Sequence, residues 1–220
     1  YYIAIIGVVV AAFGVVFSVE QWKKSRFWIP AVAGIGVTAA ALVIVLAVIR
    51  TIDQFYHMRL QVPGGYDWME WKLQIPGLFT SYNFNDISFP IQYYPDLHYE
   101  SHAYLGNFNL YALLLLGLAA IFFRKRFFIP LKEIFRKHDK NSRLLLLLMI
   151  PAVLTLLMAL GENYYFADYR YVFINYLNPF YYLSFFSDSV TQFRCMGRFV
   201  WVFFWLFSFA MVYIVDQYWQ

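Results

Sequence analysis

The feature that most constrains this chain is the stretch Ile29–Ile49, which contains no charged residue. A helix needs about 20 consecutive apolar residues to cross the ~30 Å hydrocarbon core of a bilayer, and this stretch meets that length. Four further apolar runs share its character: about Ile3–Val19, Ala103–Phe123, Leu144–Gly161 and Phe199–Val215. We therefore predict an all-α fold, a polytopic transmembrane helical bundle of about five spans with long irregular outer loops. No strand is predicted, because open-edged backbone cannot face lipid.

The composition agrees with a membrane protein. Hydrophobic residues make up 62% of the chain and charged residues only 14%, whereas soluble domains carry about a quarter charged residues. The net charge of +4 comes from loop residues between apolar runs, so it indicates topology and no nucleic-acid partner is expected. The lone Cys195 excludes an internal disulfide. Because the chain enters an apolar run at once, without a basic leader, we expect residues 1–220 to be one transmembrane region of a longer chain.

The charges of the loops predict which side of the membrane each loop faces. The loops Glu20–Trp28 and Arg124–Arg143 are rich in lysine and arginine, whereas Arg50–Ser101 and Glu162–Cys195 carry most of the acidic residues. Basic loops face the cytoplasm by the positive-inside rule. We therefore expect outer loops at residues 50–101 and 162–195, the N-terminus outside, the C-terminus in the cytoplasm, and a bacterial inner membrane as the location.

Two arginines, Arg194 and Arg198, precede the fifth span at its predicted outer end, where the positive-inside rule does not favour them. Residues four apart share a face of a helix, so both guanidinium groups are expected to point the same way. One interpretation is that they reach lipid headgroups or pair with an acidic residue such as Asp188. The other is a lipid-phosphate-binding site, because the planar guanidinium binds phosphate through two hydrogen bonds.

The end of the first outer loop, "DLHYESHAYLG", carries ionisable groups at alternate positions. These residues are Asp96, His98, Glu100, His102 and Tyr104. Their spacing matches no established metal motif, so no cofactor is predicted, with a divalent metal as the weak alternative. Asp96, Glu100, His102 and Tyr104 are candidates for polar residues at the mouth of a membrane cavity. The alternative is ordinary helix-start chemistry, in which Ser101 caps the third span and Glu100 suits its N-terminal dipole.

Two further local predictions concern packing. Between turn signals at Pro63 and Pro76, a short amphipathic piece is expected to lie on the membrane surface. Its apolar residues are Trp68, Met69, Trp71, Leu73 and Ile75. The glycines of the first two spans, together with the Gly36 and Ala40 pair, fit close helix–helix contacts.

Three stretches together carry a resemblance to a known family. "ESHAYLGNFNLYALLLLGLAA", "LLMALGEN" and "NPFYYLSFFSDSVTQFRCMGRFVWVFFW" resemble, in order and spacing, bacterial membrane glycosyltransferases of the GT-C type, including their YfhO-like relatives. The family often has a proline between the two arginines, and this chain has Cys195, Met196 and Gly197 there.

That resemblance implies a polyprenyl-phosphate sugar as donor and transfer on the non-cytoplasmic side. It implies that Arg194 and Arg198 lie near the lipid phosphate and Glu100 at the cavity mouth. The family's catalytic carboxylate lies in a first outer loop that has no counterpart here, so the catalytic residue is unknown.

Two other classes of function stay open. A non-catalytic structural or assembly subunit would use the arginines to pair with carboxylates or with other membrane subunits. A transporter would need polar residues on broken helices near the midplane, and the first two spans offer almost none. The expected partners are therefore membrane lipids, a polyprenyl-phosphate sugar and other membrane subunits.

Overall fold

The structure, a computed structural model, describes residues 2–55, 58, 71–79, 103–124, 140–166, 171–183 and 196–219. Its α-helices and strands are α1 (Tyr2–Glu20), α2 (Ile29–Ile52), α3 (Asn107–Phe122), α4 (Lys140–Ala159), β1 (Asn163–Phe166), β2 (Tyr171–Ile174), α5 (Pro179–Leu183) and α6 (Val200–Trp219). Four helices, α1, α2, α4 and α6, are long and apolar enough to cross a membrane. The predicted helical bundle is confirmed, and the chain is an integral membrane protein.

Helices α1 and α2 form an antiparallel hairpin that packs through glycine. A Cβ added to Gly14 would lie 2.5 Å from Pro30 O, and one added to Gly34 would lie 2.8 Å from Val10 O. Only a residue without a side chain fits there, so the predicted close contact is confirmed for these two glycines. Within the described residues the prediction is wrong for Gly36, which has none of their atoms within 4 Å of its Cβ position, because it lies on the face of α2 that turns away from α1.

Helix α4 packs against both α1 and α6, and contacts at its two ends fix the directions of these helices. At one end Met158 of α4 lies in an apolar cluster with Ile5, Phe199 and Val200. At the other end the Ser142 hydroxyl lies 2.6 Å from the hydroxyl of Tyr213, and Arg143 of α4 pairs with Glu20 of α1. Helix α4 is therefore antiparallel to both α1 and α6.

Helix α3 is shorter than its predicted span. It covers 16 residues, which is about 24 Å, and it begins at Asn107 rather than Ala103. The segment before it is extended, because Ala103 N donates to Gly77 O (3.0 Å) and Leu105 N donates to Leu78 O (3.0 Å). The alternative in which Ser101 caps this helix and Glu100 suits its dipole is wrong, since the N-cap residue is Gly106.

The expectation that the chain contains no strand is also wrong. Strands β1 and β2 form an antiparallel pair in which Asn163 faces Ile174 and Phe166 faces Tyr171. The pair follows the end of α4, so the rule against open sheet edges in lipid does not govern it. Its aromatic and β-branched residues favour strands.

Several short segments cover the end of the bundle where α4 stops and α6 begins. We call them the cap, and they are residues 71–79, 103–106, 160–166, 171–183 and 196–199. The short loop of residues 21–28, with Lys23, Lys24 and Arg26, lies at the opposite end.

Candidate functional site

The segment Trp71–Phe79 is the centre of the cap. Leu73 N donates to Ala159 O at the end of α4 (2.9 Å), and Ile75 N donates to the hydroxyl of Tyr164 (2.8 Å). Leu73 is fully buried, and Ile75–Leu78 form a 3₁₀ helix. The prediction of an amphipathic piece lying on the membrane is therefore wrong for the described part of it, while Trp68 and Met69 lie outside the described residues.

Lys72 is the most unusual residue of the cap. Its side chain has 0% exposure, although lysine is almost never fully buried without a partner. Its Nζ donates to Asn163 O at 2.6 Å, just past the C-terminal end of α4. The C-terminal end of a helix carries a partial negative charge that stabilises a nearby cation. The fold thus holds a fully buried lysine beneath the surface of the cap.

The end of α4 is closed by Gly161 and Asn175. Gly161 has φ 74°, a conformation that glycine adopts readily after a helix. Asn175 Nδ2 donates to Leu157 O (2.8 Å), a carbonyl in the last turn of α4, and to Gly161 O (3.1 Å), just after that helix. Asn175 is 2% exposed. These contacts tie the β1–β2 segment to the helix bundle.

Asn178 is fully buried at the start of α5. Its Oδ1 accepts from Phe180 N (3.0 Å), as expected for an asparagine that caps a helix. Its Nδ2 has no hydrogen-bond partner in the part of the chain that the structure describes. The cap therefore contains a buried amide donor as well as the lysine.

Arg198 lies on the edge of the cap, in the 3₁₀ helix Met196–Phe199 that leads into α6. Met196, Gly197 and Phe199 are all buried, whereas Arg198 is half-buried. The ring of Phe199 packs edge-to-face on that of Phe180, with centroids 5.5 Å apart. The backbone that carries Arg198 is thus held by the apolar cluster on both sides.

The structure describes only some of the other predicted site residues. Arg194, Asp96, Glu100 and His102 lie outside the described residues, so the structure does not bring the two arginines together or separate them. The expectation that they share an α-helical face does not apply to Arg198, which precedes α6. Tyr104 is described, and its hydroxyl donates to Asn107 Oδ1. Across the described ranges, no group of three His, Cys, Asp or Glu residues could hold a metal.

Burial also affects Tyr164, which sequence reasoning did not single out. Its side chain lies inside the cap, and this burial raises its pKa above the ordinary value of 10.0, while the hydrogen bond from Ile75 N opposes the shift. Lys72 and Asn175 were missed as well. The one available signal was a single lysine enclosed by apolar neighbours in "WKLQI", a pattern that is also common in exposed loops.

Comparison with known proteins gives one match. The family model described as a domain of unknown function (DUF6311) matches residues 1–220. No curated protein matches, and no solved structure matches.

Proposed function

We propose that this chain, which belongs to the DUF6311 family, is part of a GT-C-like membrane glycosyltransferase. In this proposal it moves a sugar from a polyprenyl-phosphate donor on the non-cytoplasmic side of a bacterial inner membrane. The observation that carries the proposal is Arg198, a half-buried cation at the end of a membrane helix, held on a rigid turn between buried residues.

The proposed orientation of the bundle in the membrane rests on the basic residues at one of its ends. The loop with Lys23, Lys24 and Arg26 lies opposite the cap, and such basic loops favour the cytoplasmic side. The cap then faces outward, with the N-terminus outside and the C-terminus in the cytoplasm. A lipid-linked donor keeps its tail in the bilayer and its phosphate at the surface, which is the level of Arg198.

Sugar transfer from such a donor is helped by a positive charge at the depth of the donor phosphate. Transfer of the sugar leaves negative charge on the departing phosphate, and a cation placed there in advance lowers the barrier. Arginine stays charged when it is partly removed from water and offers a planar set of donors. Lys72 lies in the same cap, and its neighbour Leu73 belongs to the same apolar cluster as Phe199, the neighbour of Arg198.

The test is native mass spectrometry of the full-length protein in mild detergent. The wild type is expected to retain a polyprenyl-phosphate species that the Arg194→Ala/Arg198→Ala double variant loses. The matched control is Lys23→Ala/Lys24→Ala, which removes two positive charges from the opposite end and is expected to retain the lipid. Equal lipid in all three proteins, or none in any, would refute a donor-phosphate site at the cap.

The alternative is a non-catalytic structural or assembly subunit, and α2 is the observation that favours it. Nearly all of α2 is exposed outside its contact with α1, and Gly36 on its outer face leaves room for a neighbouring helix. In that case Gly36→Leu would release a co-purifying membrane subunit, measured by light scattering after size exclusion. An unchanged mass would leave no support for this alternative.

A further inference from the structure

The turn between α1 and α2 is held at the surface of the bilayer. It consists of residues 21–28, and both helices that it joins are long and apolar enough to cross a membrane. A segment of this length that leaves a helix end and returns reaches at most about 13 Å. Four backbone hydrogen bonds make it more compact: Trp22 N to Val19 O, Lys24 N to Gln21 O, Phe27 N to Lys24 O and Ile29 N to Arg26 O. Its side chains therefore lie at the level of the lipid headgroups, a layer ~5–8 Å thick on each side of the hydrocarbon core.

Three basic side chains of this turn carry positive charge into the headgroup layer. Lys23, Lys24 and Arg26 are all exposed, and none of them forms an ion pair within the part of the chain that the structure describes. The carboxylate of Glu20, at the end of α1, is already paired with Arg143 of α4. The three charges thus face the headgroups without a counter-charge from the described residues.

Exposed aromatic side chains flank these cations on both sides. Trp22 precedes them in the chain, and Phe27 and Trp28 follow them. The Lys23 Nζ lies over the Trp22 ring, 5.7 Å from its centroid, a distance at which the ring attracts a cation. Tryptophan is enriched where the bilayer meets water, because its ring packs on apolar groups while its N–H stays hydrated. The turn therefore presents both positive charge and apolar rings to whatever binds it.

The turn offers side-chain cations to an anion rather than backbone amides. Helix α2 begins here, and the free N–H groups at a helix N-terminus commonly bind anions. In α2 these donors are already used, since Ala31 N donates to Ser18 Oγ (2.8 Å) and Val32 N donates to Trp28 O (3.0 Å). Pro30 has no N–H to offer. A phosphate at this end of the bundle is therefore held by side chains, and removing their charge is a sufficient test.

We propose that the turn of residues 21–28 binds an anionic phospholipid. Its phosphate lies near the three cations, and its glycerol and acyl chains lie against the aromatic rings. A soluble phosphate would satisfy the cations but has no apolar part to meet Trp22 and Trp28. A net negative charge is needed, because the ammonium group of a zwitterionic lipid competes with the basic side chains for the phosphate. The turn lies at the opposite end of the bundle from Arg198, so this binding does not depend on sugar transfer.

The test compares two phospholipids that have the same acyl chains and different headgroup charge. The full-length protein in mild detergent is mixed with equal concentrations of palmitoyl-oleoyl phosphatidylglycerol and palmitoyl-oleoyl phosphatidylcholine, and native mass spectrometry counts each bound lipid. We expect the wild type to prefer phosphatidylglycerol. A basic residue near an anionic surface contributes about fivefold to binding, so Lys23→Gln/Lys24→Gln/Arg26→Gln is expected to lower the preference about fivefold for each charge removed.

Two controls separate this site from a general effect of charge. Arg50→Gln removes one exposed cation at the other end of α2 and is expected to keep the preference. Trp22→Ala/Trp28→Ala is expected to weaken retention of both phospholipids equally, because the rings meet the parts that the two lipids share. Bound polyprenyl-phosphate has its own mass and is expected to be unchanged in the turn variants, so this proposal and the donor-phosphate site can fail separately.

A competitor separates a lipid from a soluble anion. Glycerophosphoglycerol, the headgroup without acyl chains, is added in excess and is expected to leave phosphatidylglycerol bound. Displacement by it would show a site for soluble phosphates and would overturn the proposal. So would equal retention of the two phospholipids by the wild type, a preference that survives in the triple variant, or the same loss in Arg50→Gln.

Discussion

The α1–α2 hairpin and the cap are stabilised in opposite ways. In the hairpin, Gly14 and Gly34 let two backbones approach so closely that no side chain fits between them. In the cap, Lys72 and Asn175 are buried polar residues whose hydrogen bonds join separate segments of the chain. The difference teaches where polar groups are tolerated. Between two lipid-exposed helices almost none occur, whereas non-helical backbone at the end of a bundle needs partners for its own N–H and C=O groups.

Lys72→Ala is expected to have the largest effect and to break the cap selectively. It removes the hydrogen bond from Nζ to Asn163 O and leaves a cavity, so we expect a loss of about 3 kcal/mol in the free energy of unfolding. The measurement is unfolding of the purified protein in mixed micelles with increasing dodecyl sulfate. Lys72→Met, which keeps most of the volume, is expected to lose less, and Lys23→Ala almost nothing. A Lys72→Ala protein as stable as the wild type would show that the buried lysine does not hold the cap together.

Gly14→Ala tests the hairpin in the same assay. The added Cβ would lie 2.5 Å from Pro30 O, so the helices must move apart, at a cost of about 2 kcal/mol. The matched control is Gly36→Ala, whose Cβ meets no atom of the described part of the chain within 4 Å and which gains helix propensity. Equal effects of the two substitutions would contradict the close contact of α1 with α2.

Asn175→Ala sharpens the comparison within the cap. The variant leaves the carbonyls of Leu157 and Gly161 without the donor that they now share. We expect a loss of about 1.5 kcal/mol, together with faster amide hydrogen exchange in β1 and β2 than in α1 and α2. Uniformly faster exchange throughout the chain would mean that Asn175 supports the whole bundle rather than the cap.

Tyr164 gives the cap a dependence on pH. Burial raises its folded-state pKa above 10.0, so the folded protein keeps this proton at a pH where the unfolded chain has lost it. The stabilisation is complete below about pH 10 and is lost as pH rises toward the raised value. Unfolding measured between pH 8 and 11 is expected to show a steeper decline for the wild type than for Tyr164→Phe. An equal decline in stability with pH for the wild type and for Tyr164→Phe would contradict a raised pKa of Tyr164 in the folded protein.

Thr38→Val is expected to have the smallest effect. The Thr38 hydroxyl lies 2.9 Å from Gly7 O across the hairpin and 2.8 Å from Gly34 O in its own helix. Hydrogen bonds between membrane helices contribute about 0.6 kcal/mol on average. The dodecyl sulfate titration should therefore barely shift. A loss as large as that of Gly14→Ala would mean that a polar contact, and not close packing, holds the hairpin together.

Local sequence was sufficient for the hairpin because each of its determinants lies within the two helices. Apolar length predicts a span, and glycine predicts a close contact. Gly36 shows the limit of that reasoning. Its neighbours in the sequence are apolar, like those of Gly34, and only the rotation of α2 about its axis decides which of the two glycines faces α1. In the same way, the apolar run from Ala103 predicted a span, but pairing with Gly77 and Leu78 keeps its first residues extended.

The sequence by itself determined that this protein lies in a membrane and approximately where its helices run, because burial in lipid depends on the summed apolarity of a continuous stretch. Only the tertiary structure decided that Lys72 is buried, that Asn175 closes α4, and that Asn109 of α3 donates to Ser208 of α6. The physical reason is that hydrogen bonds are short and directional. Their partners, such as Lys72 and Asn163, are far apart in the chain, and no local pattern in the sequence encodes that separation.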